Sequence, residues 1–226
     1  PHMSNFDFLK TEWTEIHEAA VAAEKSALGD PRVACFQSRR ALEILVEWMY
    51  EYDESLRLPY QSHLSALIHE PTFRDLVGEA VFNKAKILKD LGNRAVHSRR
   101  GLNTGDSTFA VRELHHVCYW VARTYSKSGE PATSVFDDSK LPLAAEAPEA
   151  SQKQIEEMSS RLLDRGNRLV EALRDRAAIS EELQQLRAEV ARVKVTNAAS
   201  PDTHDYKEKE TRDKFIDLYL HEAGWA

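Results

Sequence analysis

Apolar residues recur at steps of three and four through most of the first half of the chain, and no segment sustains an apolar-polar alternation. That period belongs to the α-helix and argues against a sheet, whose side chains alternate with period two. The stretch Ile87 to His97 shows it well, with Ile87, Leu88, Leu91, Ala95 and Val96 facing a core. A small polar cluster interrupts the pattern. Asn93 and His97 stand four apart, one turn above the other, directly after Gly92. Glycine costs a helix interior roughly 1 kcal/mol against alanine, so Gly92 belongs where another backbone comes close. Polar groups at such a crossing form either a site or a hydrogen-bonded lock, in which Asn93 and His97 meet Arg39, Arg40 or Glu43 of an earlier helix.

The punctuation around these patterns divides the segment into helices. Phe6, Leu9, Trp13, Ile16, Ala20 and Ala23 predict one amphipathic helix over residues 5–28, stopped at Gly29. Asp30 and Pro31 then supply a cap and a first-turn proline for a helix over 31–52. Ser62 caps a short helix from Leu64 to His69, before Pro71. From Thr72 a further helix bends near Gly78 and ends at His97, and Asp106 or Ser107 caps a last one from about Thr108 to Ser126. The expected fold class is therefore all-α, with a helical bundle over residues 4–127. Pro1-His2-Met3 reads as a cloning scar.

Residues 128–150 lose the periodicity and gain Pro131, Pro142 and Pro148, as a linker does, either extended or tacked to the bundle by Val135, Phe136 and Leu141. Residues 151–196 then fit one long heptad helix. Its core positions are Ile155, Met158, Leu162, Leu169, Ala172, Ile179, Leu183, Leu186, Val190 and Val193, with Arg165 and Arg176 as polar exceptions. In a parallel pair Glu182 would face Arg187 of a second chain, and Glu189 would face Lys194. Self-association through a rod of roughly 70 Å is the expected result; the alternatives are docking to another subunit and an intramolecular hairpin, for which only Gly166 offers a break. A second linker follows at 197–206. Residues 207–226 carry Phe215, Ile216, Leu218, Tyr219 and Leu220, a short helix that reads as the opening of a truncated domain.

Composition bounds the chemistry. A formal charge of −7 over 226 residues argues against a surface that grips nucleic acid all round. A local basic region remains: Lys86, Lys89, Arg94, Arg99 and Arg100, with Lys84 on the preceding turn, contact phosphates or form a solvated face diluted by Asp75, Glu79 and Asp90. The two cysteines, Cys35 and Cys118, sit inside apolar helical patterns, which predicts a reducing, cytoplasmic compartment, and no run is apolar enough to span a membrane. No metal is expected, since His115 and His116 point to different faces, and no cofactor, since no phosphate-binding glycine loop occurs.

Two stretches carry a resemblance. Asp7-Phe8-Leu9-Lys10, Ala41-Leu42-Glu43 and Leu91 to His97 resemble the helical module at the N-terminus of restriction (R) subunits of type I restriction-modification enzymes. Glu210-Thr211-Arg212, Ile216-Asp217 and Ala223-Gly224-Trp225 look like the first helix of the endonuclease domain that follows in those subunits. The resemblance implies a parent that translocates and cuts DNA with ATP. Within it, this chain would be a non-catalytic assembly module that docks onto other restriction-modification subunits or DNA, with a DNA-contacting domain that uses the basic face as an alternative. The bundle is also similar to HEPN modules, some of which are ribonucleases with an Arg, a polar residue and a His in fixed spacing. Asn93 and His97 match the last two and would be the catalytic pair of that alternative, while Gly92 occupies the arginine position.

Overall fold

The computed structural model describes residues 3–97, 101–129, 131, 135–142, 152–175 and 181–200, with positions 209–211, 213, 216 and 220. Among the described residues the α-helices run in the order α1 Thr14–Ser26, α2 Pro31–Tyr52, α3 Leu64–His69, α4 Pro71–His97, α5 Thr104–Tyr125, α6 Gln152–Asp175 and α7 Glu181–Ala198, with further helical positions at 209–211. The described residues contain no strand, and none of their helices is long and apolar enough to cross a membrane. The fold is all-α, as the periodicity requires.

Local chemistry sets the helix ends. Asp30 accepts a hydrogen bond from the Val33 amide at 3.0 Å, and Pro31 fills the first turn of α2. Inside α4, Gly78 takes φ +74° and ψ 168°, so the segment is two helices joined at a kink that only glycine accepts readily. Three expected ends move. Residues 5–28 divide into a 3-10 turn, Asp7–Leu9, and α1. His63, rather than Ser62, caps α3 through its ring nitrogen. Helix α5 starts at Thr104 because Asn103 and Asp106 form a reciprocal capping box, satisfying two amides that a start near Thr108 would leave to other partners.

Helix α2 is central and packs against α1, α4 and α5. Its buried Phe36, Leu42, Leu45 and Met49 join Phe6, Ile16, Leu88 and Leu114 in one continuous core. The described part of the linker is tied down: Asn5 and Asp137 exchange hydrogen bonds at 2.9 and 3.1 Å. Phe136 meets the ring of His115 and Leu141 is buried, whereas Val135 stays exposed.

The free coiled-coil arm is corrected. Residues 152–175 and 181–198 form two helices, α6 lying on α2 and α4, and α7 on α5 and α2. Of the expected seam, Ile155, Leu183 and Val190 are buried; Met158, Leu162, Leu169, Leu186 and Val193 are half-buried; Ala172 is exposed; Ile179 lies outside the described residues. Val170, off the heptad, is also buried. Three of the charges that were expected to reach a second chain are used at home, while the side chain of Glu182 lies outside the described residues. Arg187 donates to the Glu51 carbonyl at 3.1 Å and pairs with Glu54, Glu189 meets Lys127 at 3.0 Å, and Lys194 meets Asp53 at 2.7 Å. A tethered surface of the same chain offers an effective concentration that a second molecule in dilute solution does not match.

Candidate functional site

Three places concentrate polar chemistry. At the α2–α4 crossing, a Cβ on Gly92 would stand 2.3 Å from the Cβ of Arg39, so the glycine is there because α2 comes close. The hydrogen-bonded lock is corrected. Arg39 lies 3.9 Å from Glu43 on its own helix, and Arg40 donates to Gln37 at 3.4 Å. Asn93 is half-buried and His97 exposed, and among the described residues neither hydrogen-bonds to Arg39, Arg40 or Glu43. The aliphatic stem of Arg39 fills the space over Gly92, so the contact is steric. Burial pushes the Glu43 carboxyl up despite the pull of Arg39.

The basic region is not a uniform face. Lys86 lies over the Phe82 ring at 5.4 Å, Lys89 pairs with Asp90 at 2.5 Å, and Arg94 is half-buried. Arg99 and Arg100 lie outside the described residues. Lys84 is wholly buried, which removes it from any surface patch.

Lys84 instead belongs to the second place. Its Nζ donates to Glu113 Oε2 at 2.8 Å and to the Thr211 hydroxyl at 2.6 Å, and that hydroxyl donates to the same Glu113 oxygen at 2.6 Å. All three side chains are fully enclosed. Burial pushes the Glu113 carboxyl up, against the opposing pull of Lys84. Glu210, next to Thr211, reaches Arg112 at 3.8 Å. A signal for the pair was present in the sequence. Lys84 falls on the apolar stripe of Val81, Ala85 and Leu88, and Glu113 on that of Ala110 and Val117. Opposite charges on two apolar stripes mark a buried ion pair; nothing in the sequence marked Thr211 as its third member.

The third place is a cleft of about 510 Å³ between α1, α2 and α6. Trp13, Trp48 and Tyr52 form its aromatic wall, and Glu12, Glu15, Glu47 and Glu51 its carboxylates, with Arg165 and Arg168 on the α6 side. Trp48 meets Trp13 edge-on at 5.7 Å and Tyr52 at 5.3 Å. Two carboxylates are already occupied. Glu12 accepts from the Ser126 hydroxyl at 2.5 Å and the Lys127 amide at 2.9 Å; those bonds hold its carboxyl below the ordinary value although burial works the other way. Glu15 is lowered by the hydrogen-bonded guanidinium of Arg165. Burial, reinforced by Glu43, raises Glu47 to about 7. Its nearest cation is the Arg165 Nε at 3.8 Å, and it makes no hydrogen bond among the described residues.

No group of three or more His, Cys, Asp or Glu among the described residues is placed to hold a metal ion. His115 instead packs edge-on against Phe6 and Phe8. Neither a curated protein nor a solved structure matches the chain. Residues 21–165 do match a family described as a domain of unknown function, DUF4145, from the middle of α1 to the middle of α6. That match spans more than half of the sequence, and on it the chain belongs to the DUF4145 family.

Proposed function

We propose that the chain is a non-catalytic docking module of a type I restriction R subunit or a related helicase-nuclease. In this reading the bundle is a platform that holds the segment around Thr211 in a defined place. The observation that carries it is the Thr211 hydroxyl enclosed between Lys84 and Glu113. A buried ion pair contributes little net stability over apolar packing but is sensitive to the loss of any partner, so it serves register better than strength. A pair completed by a residue from the far end of the chain suits a module whose work is to hold another segment.

Hydrogen exchange tests the clamp. Backbone amides near Thr211 should exchange slowly in the unmodified chain, and Thr211→Val should accelerate that segment while α4 and α5 stay protected. Fast exchange there without any substitution would remove the basis of the proposal. Two further outcomes would replace it. Cleavage of a mixed RNA pool, abolished by His97→Ala, would make the chain an HEPN-type ribonuclease. Salt-dependent binding to duplex DNA, weakened when Arg99 and Arg100 are changed together, would make it a DNA-contacting domain.

A further inference from the structure

Residues 47 to 52 read Glu-Trp-Met-Tyr-Glu-Tyr on α2. Four-residue spacing stacks Glu47 under Glu51 and Trp48 under Tyr52, giving two adjacent stripes, one of carboxylates and one of rings. Both stripes line the cleft between α1, α2 and α6. Its volume of about 510 Å³ suits a small ligand. Glu47 is only 6 % exposed, yet neither it nor the Glu51 carboxylate makes a hydrogen bond among the described residues. Directly above Glu47 sits Gly166 of α6, where a Cβ would come 2.9 Å from the Glu47 Oε1. The missing side chain leaves that oxygen room.

The cleft also shows which charge it accepts. Arg165 already places one guanidinium at its edge, forked onto both oxygens of Glu15. Carboxylates bind a planar guanidinium through paired, charge-assisted bonds, and aromatic faces attract the same cation. We infer that the cleft is a binding site for a second guanidinium group, taken between the Glu47 and Glu51 carboxylates and the rings of Trp48 and Tyr52.

The group is either a free alkylguanidine or an arginine side chain of a peptide, and the recognition chemistry is the same. The groups facing Glu47 are Glu43 and Glu51 on its own helix, Glu15 of α1, and Arg165 of α6. Arg168 also lines the cleft, Arg39 lies 3.9 Å from Glu43, Arg40 acts on Glu15, and Arg165 is forked onto Glu15, which leaves Glu47 with a cation only at 3.8 Å. A bound cation therefore stabilises the ionised form of Glu47, and binding releases a proton wherever Glu47 is partly protonated, near pH 7.

The full chain is titrated with n-butylguanidinium, with its neutral isostere n-butylurea, and with the peptide acetyl-Gly-Arg-Gly-amide, followed by tryptophan fluorescence and calorimetry. Saturable binding of the guanidinium compounds is expected, strengthening from pH 6 to pH 8 and releasing protons to the buffer. A peptide that binds more tightly than n-butylguanidinium assigns the cation to an arginine side chain; the reverse order assigns it to a free compound. Glu47→Gln keeps the shape of the side chain and should weaken binding about tenfold or more. Gly166→Ala fills the space over Glu47 without touching its charge and should weaken binding as well. The inference is overturned by a lack of saturation with either guanidinium probe up to about 10 mM, by equal binding of n-butylurea, or by unchanged binding in both variants.

Discussion

Replacing Gly92 with alanine sets helix propensity directly against packing. In an open helix the change would gain up to about 1 kcal/mol. Here the added Cβ would stand 2.3 Å from the Arg39 Cβ, 2.7 Å from its Cδ and 2.9 Å from its Cγ. The outer carbons belong to a long stem that can swing aside, but the Arg39 Cβ is fixed to the backbone of α2. Carbon atoms pack at about 3.5–4.0 Å, so α2 and α4 would have to part by about 1 Å or more. That separation would disturb the close packing of Leu42, Leu88 and Leu91, all fully buried. Overpacking of one methyl costs typically 1–3 kcal/mol, and a clash of Cβ against Cβ belongs at the upper end. The net expected loss is about 2 kcal/mol, or about 4–8 °C in Tm for a chain of this size. Urea and thermal melts followed by circular dichroism measure it. Because Arg39→Ala keeps the Cβ, Gly92→Ala should cost nearly as much in that background. Arg39→Gly removes the Cβ, so there the cost should fall by about 1–2 kcal/mol. A neutral or stabilising Gly92→Ala, or equal rescue by Arg39→Ala and Arg39→Gly, would refute the steric argument.

Four further outcomes follow from named contacts. Glu113→Gln leaves the enclosed Lys84 without its counter-charge and should cost about 3–5 kcal/mol, whereas Lys84→Met with Glu113→Leu together should cost far less; chemical melts of the two variants against the unchanged chain check this. Glu47→Gln should stabilise the chain in a pH-dependent way. The Glu47 carboxyl goes from 4.5 to about 7 on folding, so wild-type stability falls as pH rises between those values and the full penalty, roughly 3 kcal/mol, stands above both. Melts at pH 5 and pH 8 should therefore show little gain and a large gain respectively. Lys194→Ala removes the α7 cation bonded to Asp53, whose carboxyl is held below its ordinary value by Lys194, Ser55 and Tyr125 although burial pushes it up. The loss, about 1–2 kcal/mol at neutral pH, should fade as pH falls through the depressed value, where wild-type Asp53 itself protonates. Asn103→Ala should cost about 1 kcal/mol and fray the first turn of α5, visible as faster amide exchange at Asp106 and Ser107.

Apolar spacing was enough to predict an all-α chain, because a period of three and four has one regular backbone solution. The Asp30-Pro31 start of α2, the bend at Gly78 and the close approach at Gly92 were equally legible, since each depends on its own residue type and a few neighbours. Tertiary structure decided everything that required knowing which surface meets which. A heptad pattern states that a helix has an apolar stripe and leaves its partner open, so Ile155, Leu183 and Val190 fit a second chain as well as they fit α2, α4 and α5. Asn93 and His97 directly follow Gly92 on the same helix, but only the approach of Arg39 showed that an aliphatic stem, and no hydrogen bond, occupies the crossing. The same holds for Thr211. Its hydroxyl is unremarkable among the residues beside it, and it becomes the third member of a buried charged group only because the fold brings it within 2.6 Å of Lys84 and Glu113. Short-range geometry is written in neighbouring residues, whereas the pairing of distant surfaces is settled by the packing of the whole.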